Sequence, residues 1–488
     1  MNALDRVVAY FSPVAALKRH QARAVLNHYE AGEPSRLRKF HRERGTQNEH
    51  VQRSAAAIRA QARFLARNHD IARGALRVLV NNICGPKGIG VEPQPRNADG
   101  TIHKEYARAL LEAWRDWCRT PEVTHQYSFA KLQRAMVRAW MRDGEAFSQT
   151  LTGPVPYLNH GTRVPFSLEA FEADMVPMDL NDERRRIVQG VERNAWGKPT
   201  ALHVLKTNAG RIGAPIASDT KRIEWERVLH VANWDHLGQV RGVSEFASVI
   251  TRLEDIKDYE ESERVAAKIA AMLTAFVKKG TPDLYDPASA TDPREISLKP
   301  GAIIDDLAIG EEIGLVDSKR PNPNLLPFRQ GQLRAVAAGL GGSYSSISRD
   351  YGGTYSSQRQ ELVEQWIHYA VLADDFVGQY VQPVWETFVT VADLSGVVPM
   401  PRGLKPGTAD DAIYIAQAMP WIDPLKEAMG SAALVRGGFA SEIEMIRRRG
   451  ANPHDVLEQI AAFRAEAAEL GLAFTTDGLF SADLDDDE

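Results

Sequence analysis

A chain of 488 residues, 44% hydrophobic and 25% charged, has an ordinary globular balance and room for about two to four domains. Its formal charge of −5 argues against wrapping nucleic acid on a basic surface, though not against letting nucleic acid pass. Two cysteines, Cys84 and Cys118, supply neither a disulfide framework nor a four-ligand zinc site, and no apolar run of about 18 residues is present to span a bilayer.

The N-terminal stretch is apolar but broken by Arg6 and Pro13, a poor signal peptide. Residues 1–50, with LKRH and RLRKFHRER, read as a basic, partly disordered arm. Residues 51–80 are alanine-rich, and Ile58, Phe64, Leu65, Ile71, Leu76 and Leu79 recur at core spacing on one or two helices. NNICGPKGIG ends that pattern, and two further helices are expected on either side of Pro121. From 145 to about 233 the β-prone pieces AFSQTLT, RIVQGVE, TALHVLK and RVLHVAN alternate with turn residues.

Residues 245–278 contain no Pro or Gly and predict one helix of roughly 50 Å. Val249, Leu253, Ile256, Val265, Ile269, Met272 and Phe276 repeat at three and four spacings, and the stripe fades at DYEESER. So long a helix needs a partner along its length, and a second copy is a good one. Residues 279–329 read as a small insert with short strands at PGAII and EEIGLVD. A short helix follows, then GGSYSSISRDYGGTYSSQ, a loop too long to be a plain connection. The chain returns to helix over 357–392, where Pro383 bends or divides it. Two helical segments follow, the second capped by Asn452 with Pro453 in its first turn, before the acidic end DLDDDE.

Chemistry is sparse. GPKGIG has the wrong spacing for a dinucleotide loop, and GLGGSYSS lacks the Lys-Ser/Thr of a phosphate loop. His230 and His236 have no HExxH or Cys pair beside them. Glu254, Asp255, Asp258, Glu260, Glu261 and Glu263 crowd one helix and point several ways, a solvated face before a two-metal site. No catalytic, cofactor-binding or metal-binding residue is assigned.

The order of elements, and the segments that carry it, resemble the lambda-like portal proteins of tailed bacteriophages. The resemblance covers Gly238, Gln239, Arg241, Gly242 and Val243, then LEDIKDYEESERVAAKIAAMLTAFV, PGAIIDDLAIGEEI and AVAAGLGGSYSSISRDYGGTYSSQR. DGEAF, GVERNAWGKP, QPVWETF and WIDPLKEA extend it from about 50 to 470. His236 and Leu237 stand where the family usually carries Arg-Pro.

The resemblance implies a mixed α+β portal fold assembling as a ring of about twelve copies, with no enzymatic activity and no cofactor. It implies a wing over 51–244, stem helices at 245–278 and 330–340, and a clip at 279–329. A tunnel loop would span 341–356, a tunnel/wing helix 357–392, a C-terminal wing or crown region 393–472, and an acidic disordered tail 473–488. Glu254, Asp255, Asp258 and Glu261 would line the stem. Tyr344, Ser345, Arg349, Asp350, Tyr351 and Tyr355 would face DNA, and Gly341, Gly342, Gly352 and Gly353 would free the loop. Implied partners are double-stranded DNA read without sequence preference, the terminase large subunit, a head-completion or adaptor protein, and the major capsid and scaffold proteins. The setting is a virion vertex built in the host cytoplasm, away from membranes. The alternatives are a ring or scaffold protein without a channel and, behind it, a metal-dependent nuclease.

Overall fold

A computed structural model describes residues 45–206, 220–272, 276–279, 311–314, 322–419 and 423–472. The basic arm up to residue 44, most of the 279–329 insert with its PGAII piece, and the acidic end lie outside the described residues. The chain divides into two compact units, Met1–His50 and Val51–Glu488. Only the first turn of α1 belongs to the first unit.

The alanine-rich stretch forms two helices, α1 (Gln47–Asn68) and α2 (Asp70–Cys84). His69 divides them. Its Nδ1 accepts from Ile71 N at 3.2 Å, and its Nε2 donates to the Leu253 carbonyl at 3.1 Å. Leu65, Leu76 and Leu79 are buried as their spacing predicts, whereas Phe64 is half exposed and carries Lys257 over its ring. Strand β1 (Gly90–Pro93) follows, then α3 (Lys104–Trp117) and α4 (Phe129–Asp143). Ser128 caps α4, and Gly144 ends it in a left-handed conformation.

The β-rich region holds β2 (Glu145–Thr152), β3 (Phe166–Glu172), β4 (Ile187–Val188), β5 (Val191–Arg193), β6 (Pro199–Leu205), β7 (Thr220–Glu224) and β8 (Val228–Ala232). They form two antiparallel sheets, ordered β3-β2-β8 and β4-β5-β6-β7. Strands β3 and β7 give weak signals in the sequence because both are edge strands that leave charged residues in solvent.

A 3₁₀ turn at Glu245–Ser248 leads into α5 (Ile250–Met272). The single helix expected over 245–278 is therefore shorter at both ends. Phe276–Lys279 is instead strand β9, paired antiparallel with β10 (Glu311–Gly314). The register sets Lys278 opposite Glu312 and Lys279 opposite Glu311. Helix α6 (Leu325–Gly339) starts ahead of the expected 330 because Pro327 falls in its first turn, where a missing N–H costs nothing.

Next come a short helix, α7 (Tyr344–Ser348), and the long α8 (Tyr355–Phe376). A π turn at Val377–Val381 joins α8 to α9 (Gln382–Leu394). Pro383 follows that wide turn, which absorbs the clash its ring would make with the preceding turn. Strand β11 (Ala412–Ile415) returns to pair with β1. Helices α10 (Pro424–Arg436), α11 (Glu442–Arg448) and α12 (Pro453–Glu469) end the described chain, and Asn452 caps α12 by accepting from His454 N at 2.9 Å.

One core joins the early helices to α5, α6, α8 and α9. At its centre Trp114 stacks on Trp117 at 4.8 Å and meets Trp385 and Phe388 edge-on at 5.2 and 5.0 Å. Trp117 also stacks on Phe166 at 5.0 Å. Each such pair adds about 0.5–1.5 kcal/mol beyond the burial itself.

Candidate functional site

The loop expected over 341–356 is half folded. Ser343 caps α7, accepting from Ser346 N at 3.2 Å, while its own N–H donates to Gln365 Oε1 of α8 at 3.2 Å. Ser345 is 8% exposed and its hydroxyl donates to Glu361 at 2.6 Å, so α8 holds it away from the surface. It leaves the set of DNA-facing candidates.

Tyr344 is half-buried under Arg334, and its hydroxyl donates to Asp350 at 2.8 Å. That bond and one from Gly352 N hold the Asp350 carboxyl below its ordinary value. Arg349 takes the left-handed conformation (φ 60°) that ends α7. The exposed arc is Arg349 to Tyr355, with Tyr351 and Tyr355 57% and 55% exposed. Gln358 ties the arc back to α8 by donating to the Tyr351 carbonyl.

The four glycines do not act alike. Gly341 alone among them has positive φ (63°), and a Cβ there would lie 2.4 Å from the His368 ring. It serves close packing, not freedom. Gly342, Gly352 and Gly353 keep ordinary φ, with the nearest atoms to an added Cβ at 3.2, 3.3 and 3.1 Å.

Val249, just before α5, and Leu253 and Ile256 on it enter the core. A second face packs on α6: Tyr259 meets Phe328 at 4.7 Å, Glu260 pairs with Arg329 at 2.5 Å, and Arg252 donates to Gln332 at 2.7 Å. These contacts fix the helix rotation and turn Asp255, Asp258 and Glu261 into solvent, with Glu254 half-buried at the margin. Val265, on the same side, is 50% exposed. Lys257 does not neutralise this face, since it lies over Phe64. Among the described residues, no group of three or more His, Cys, Asp or Glu is arranged to hold a metal ion.

The most developed polar cluster has no counterpart among the residues expected to be functional. Glu145, first residue of β2, and Arg241, in the segment leading to α5, are both fully buried. Arg241 Nη2 donates to Glu145 Oε1 at 2.6 Å, and its Nε lies 2.9 and 3.0 Å from the two carboxylate oxygens. Its remaining N–H groups donate to the carbonyls of Gln189 (2.8 Å), Val176 (3.2 Å) and Ala173 (3.2 Å). Glu145 also accepts from Arg59 at 3.1 Å, His230 Nε2 at 3.0 Å and Gly242 N at 3.0 Å.

Burial opposes the Glu145 charge, but Arg241 and His230 outweigh it and hold the carboxyl well below the usual range. His230 stacks on Phe147 at 4.2 Å, and burial, the largest effect on it, lowers its pKa. Around this centre, Arg63 bridges Asp143, Glu172 and Asp174, and Arg142 bridges Asp143 and Glu172.

The backbone closes equally tightly. A Cβ on Gly242 would lie 2.1 Å from the Gly144 carbonyl oxygen, and one on Gly144 (φ 90°) would lie 2.2 Å from Val243. DGEAF and GQVRGV, far apart in sequence, are thus two halves of one clamp. A lone carboxylate opening an apolar strand and a lone arginine beside glycine are the signals that could have paired them. The clamp fastens the start of the α5 segment to β2 and sets where the helix leaves the body.

The chain matches the model of the lambda family of phage portal proteins over residues 33–372. It is 25% identical over 431 residues to a probable portal protein of Halomonas phage phiHAP-1, covering 85% of this chain and 81% of that protein. It is 22% identical over 452 residues to portal protein B of Escherichia phage lambda, covering 85% and 84%. Among solved structures, a chain from the neck of a native gene transfer agent particle aligns with a TM-score of 0.41 at 12% identity, covering 82% of this chain and 94% of that one. One from the whole virion of such a particle gives 0.39, covering 89% and 99%. With the family model matched over most of its length, the chain belongs to the lambda family of phage portal proteins.

Proposed function

We propose that copies of this chain form a ring at one vertex of a viral capsid, about twelve in number, whose bore passes duplex DNA during packaging and ejection. The observation that carries the channel reading is the unpaired acidic face of α5. Among the described residues, Asp255, Asp258 and Glu261 pair with no basic side chain. Along a bore they would repel phosphates and keep a moving polyanion from sticking. The exposed arc Arg349–Tyr355 would be the mobile contact near DNA, offering two flat rings and one guanidinium without a strong basic surface. Contact of that kind reads no sequence.

In this reading 51–244 and 357–392 build the wing, and α5 and α6 the stem. The insert 279–329 would be the clip, docking the terminase large subunit during packaging and a head-completion protein afterwards. Residues 393–472 would face the capsid interior with its major capsid and scaffold proteins. The work of translocation would belong to the motor.

Electron microscopy of the purified oligomer tests this. The expected image is a closed ring with a central bore wide enough for duplex DNA, with α5 beside it. A ring without a bore would favour the non-channel assembly reading, and a chain that stays monomeric under all assembly conditions would overturn both.

A further inference from the structure

Helices α2 and α4 pack side by side, and their outward faces carry an arginine array. Arg73 and Arg77 stand one turn apart on α2, about 6 Å along the axis, and both are exposed. Arg138 and Arg142 stand one turn apart on α4, both half-buried. Arg142 is paired with Asp143 and Glu172. The side chains of Arg73, Arg77 and Arg138 make no hydrogen bond or ion pair with any described residue.

The nearest acidic residue in sequence, Asp70, accepts from Ile71 N at 2.8 Å and forms no ion pair with Arg73 or Arg77. Burial first, then repulsion from Arg142, Arg77 and Arg73, lowers the pKa of Arg138. Among the described residues, a chain of net charge −5 thus leaves these three guanidinium groups without an acidic partner on one two-helix face. Like charges so placed destabilise the isolated chain and invite a counter-charge from outside.

We infer that the face bearing Arg73, Arg77 and Arg138 is a binding surface for the phosphate backbone of double-stranded DNA, separate from the bore. Neither α2 nor α4 exposes a large apolar side chain. Protein interfaces are built around an apolar core, whereas nucleic-acid interfaces are more polar and far more positive. Arginine forks also match phosphate geometry in pairs. This inference rests on the portal reading only for the presence of DNA; its site lies on the body of the chain, not on α5.

The test uses closed circular duplex DNA, which cannot thread a bore, and filter retention by the assembled ring across a salt series. The wild-type ring should retain the circle. The triple variant Arg73→Ala/Arg77→Ala/Arg138→Gln should retain it poorly, and the log–log slope of affinity against salt should fall by roughly 0.9 for each phosphate that is no longer neutralised. Equal retention and slope in the two rings would overturn the inference, as would a wild-type ring that retains no circle. A variant with unchanged circular dichroism and melting temperature that no longer assembles would overturn it too, because the counter-charge would then be an acidic face of a second copy. A ring imaged without a bore whose retention still depends on these arginines would sink the channel reading and leave this one standing.

Discussion

Arg241 and Glu145 fix the segment that leads into α5 through a fully buried pair. Removing one partner of such a pair strands the other, at a cost of about 3–5 kcal/mol. Glu145→Gln should lower stability by that order, read as a drop in melting temperature. The same variant tests the linkage to pH. The folded carboxyl is depressed, so its stabilisation is fully present above its ordinary value near ~4.3 and is lost as pH falls toward the folded value. Wild type should therefore lose melting temperature more steeply than Glu145→Gln below about pH 5. Parallel slopes would show that Glu145 is not the titrating group. The glycines give a second contrast. Gly341→Ala meets both a left-handed backbone and the His368 ring and should cost at least about 1–2 kcal/mol. Gly353→Ala meets the Ser357 hydroxyl at 3.1 Å and the Gln358 side chain at ordinary contact distance, and should stay within ~0.5 kcal/mol in denaturant melts. Composition alone could not separate these glycines, because what distinguishes them is the histidine that folding places against one of them.

Helix α8 keeps Tyr369, Leu372 and Phe376 in the core yet leaves Val363, Ile367 and Val371 40%, 64% and 56% exposed. Three apolar side chains at i, i+4, i+8 form a stripe that a solitary chain has no reason to keep. On the ring reading, a neighbouring copy covers it. Val363→Ser/Ile367→Ser/Val371→Ser should leave the monomer's melting temperature nearly unchanged and abolish the ring in light scattering. A variant that assembles normally would move the interface elsewhere. At this scale the sequence was legible where a local period met a local stop, as at Asn452 before α12, whereas the break at His69 between α1 and α2 was left open. It was least legible where a partner decides the outcome. Phe276–Lys279 lacks a helix breaker, and it becomes β9 because Glu311–Gly314 is there to pair with it. Ser345 looks like part of a polar loop until α8 brings Glu361 to its hydroxyl.

Across the whole molecule, one core draws on residues from Ala62 to Val398, while α5 leaves it after Ile256 with its acidic face exposed. The first turns of α5 are held by the core and the Arg241 clamp, and Tyr259 and Glu260 by α6, so the position of the acidic face is set by packing and not by its own charges. Neutralising that face should therefore leave the fold alone. Asp255→Asn/Asp258→Asn/Glu261→Gln keeps size and polarity at exposed positions and should change stability by no more than ~0.5 kcal/mol. Its effect should appear in transit. Without repulsion from the wall, a linear duplex within the ring would dwell longer, and the change should shrink as salt rises, because screening already weakens that repulsion in the wild type. Packaging by the neutralised ring should accordingly slow most at low ionic strength. Equal rates in both rings across the salt series would mean that these three carboxylates do not face the DNA path.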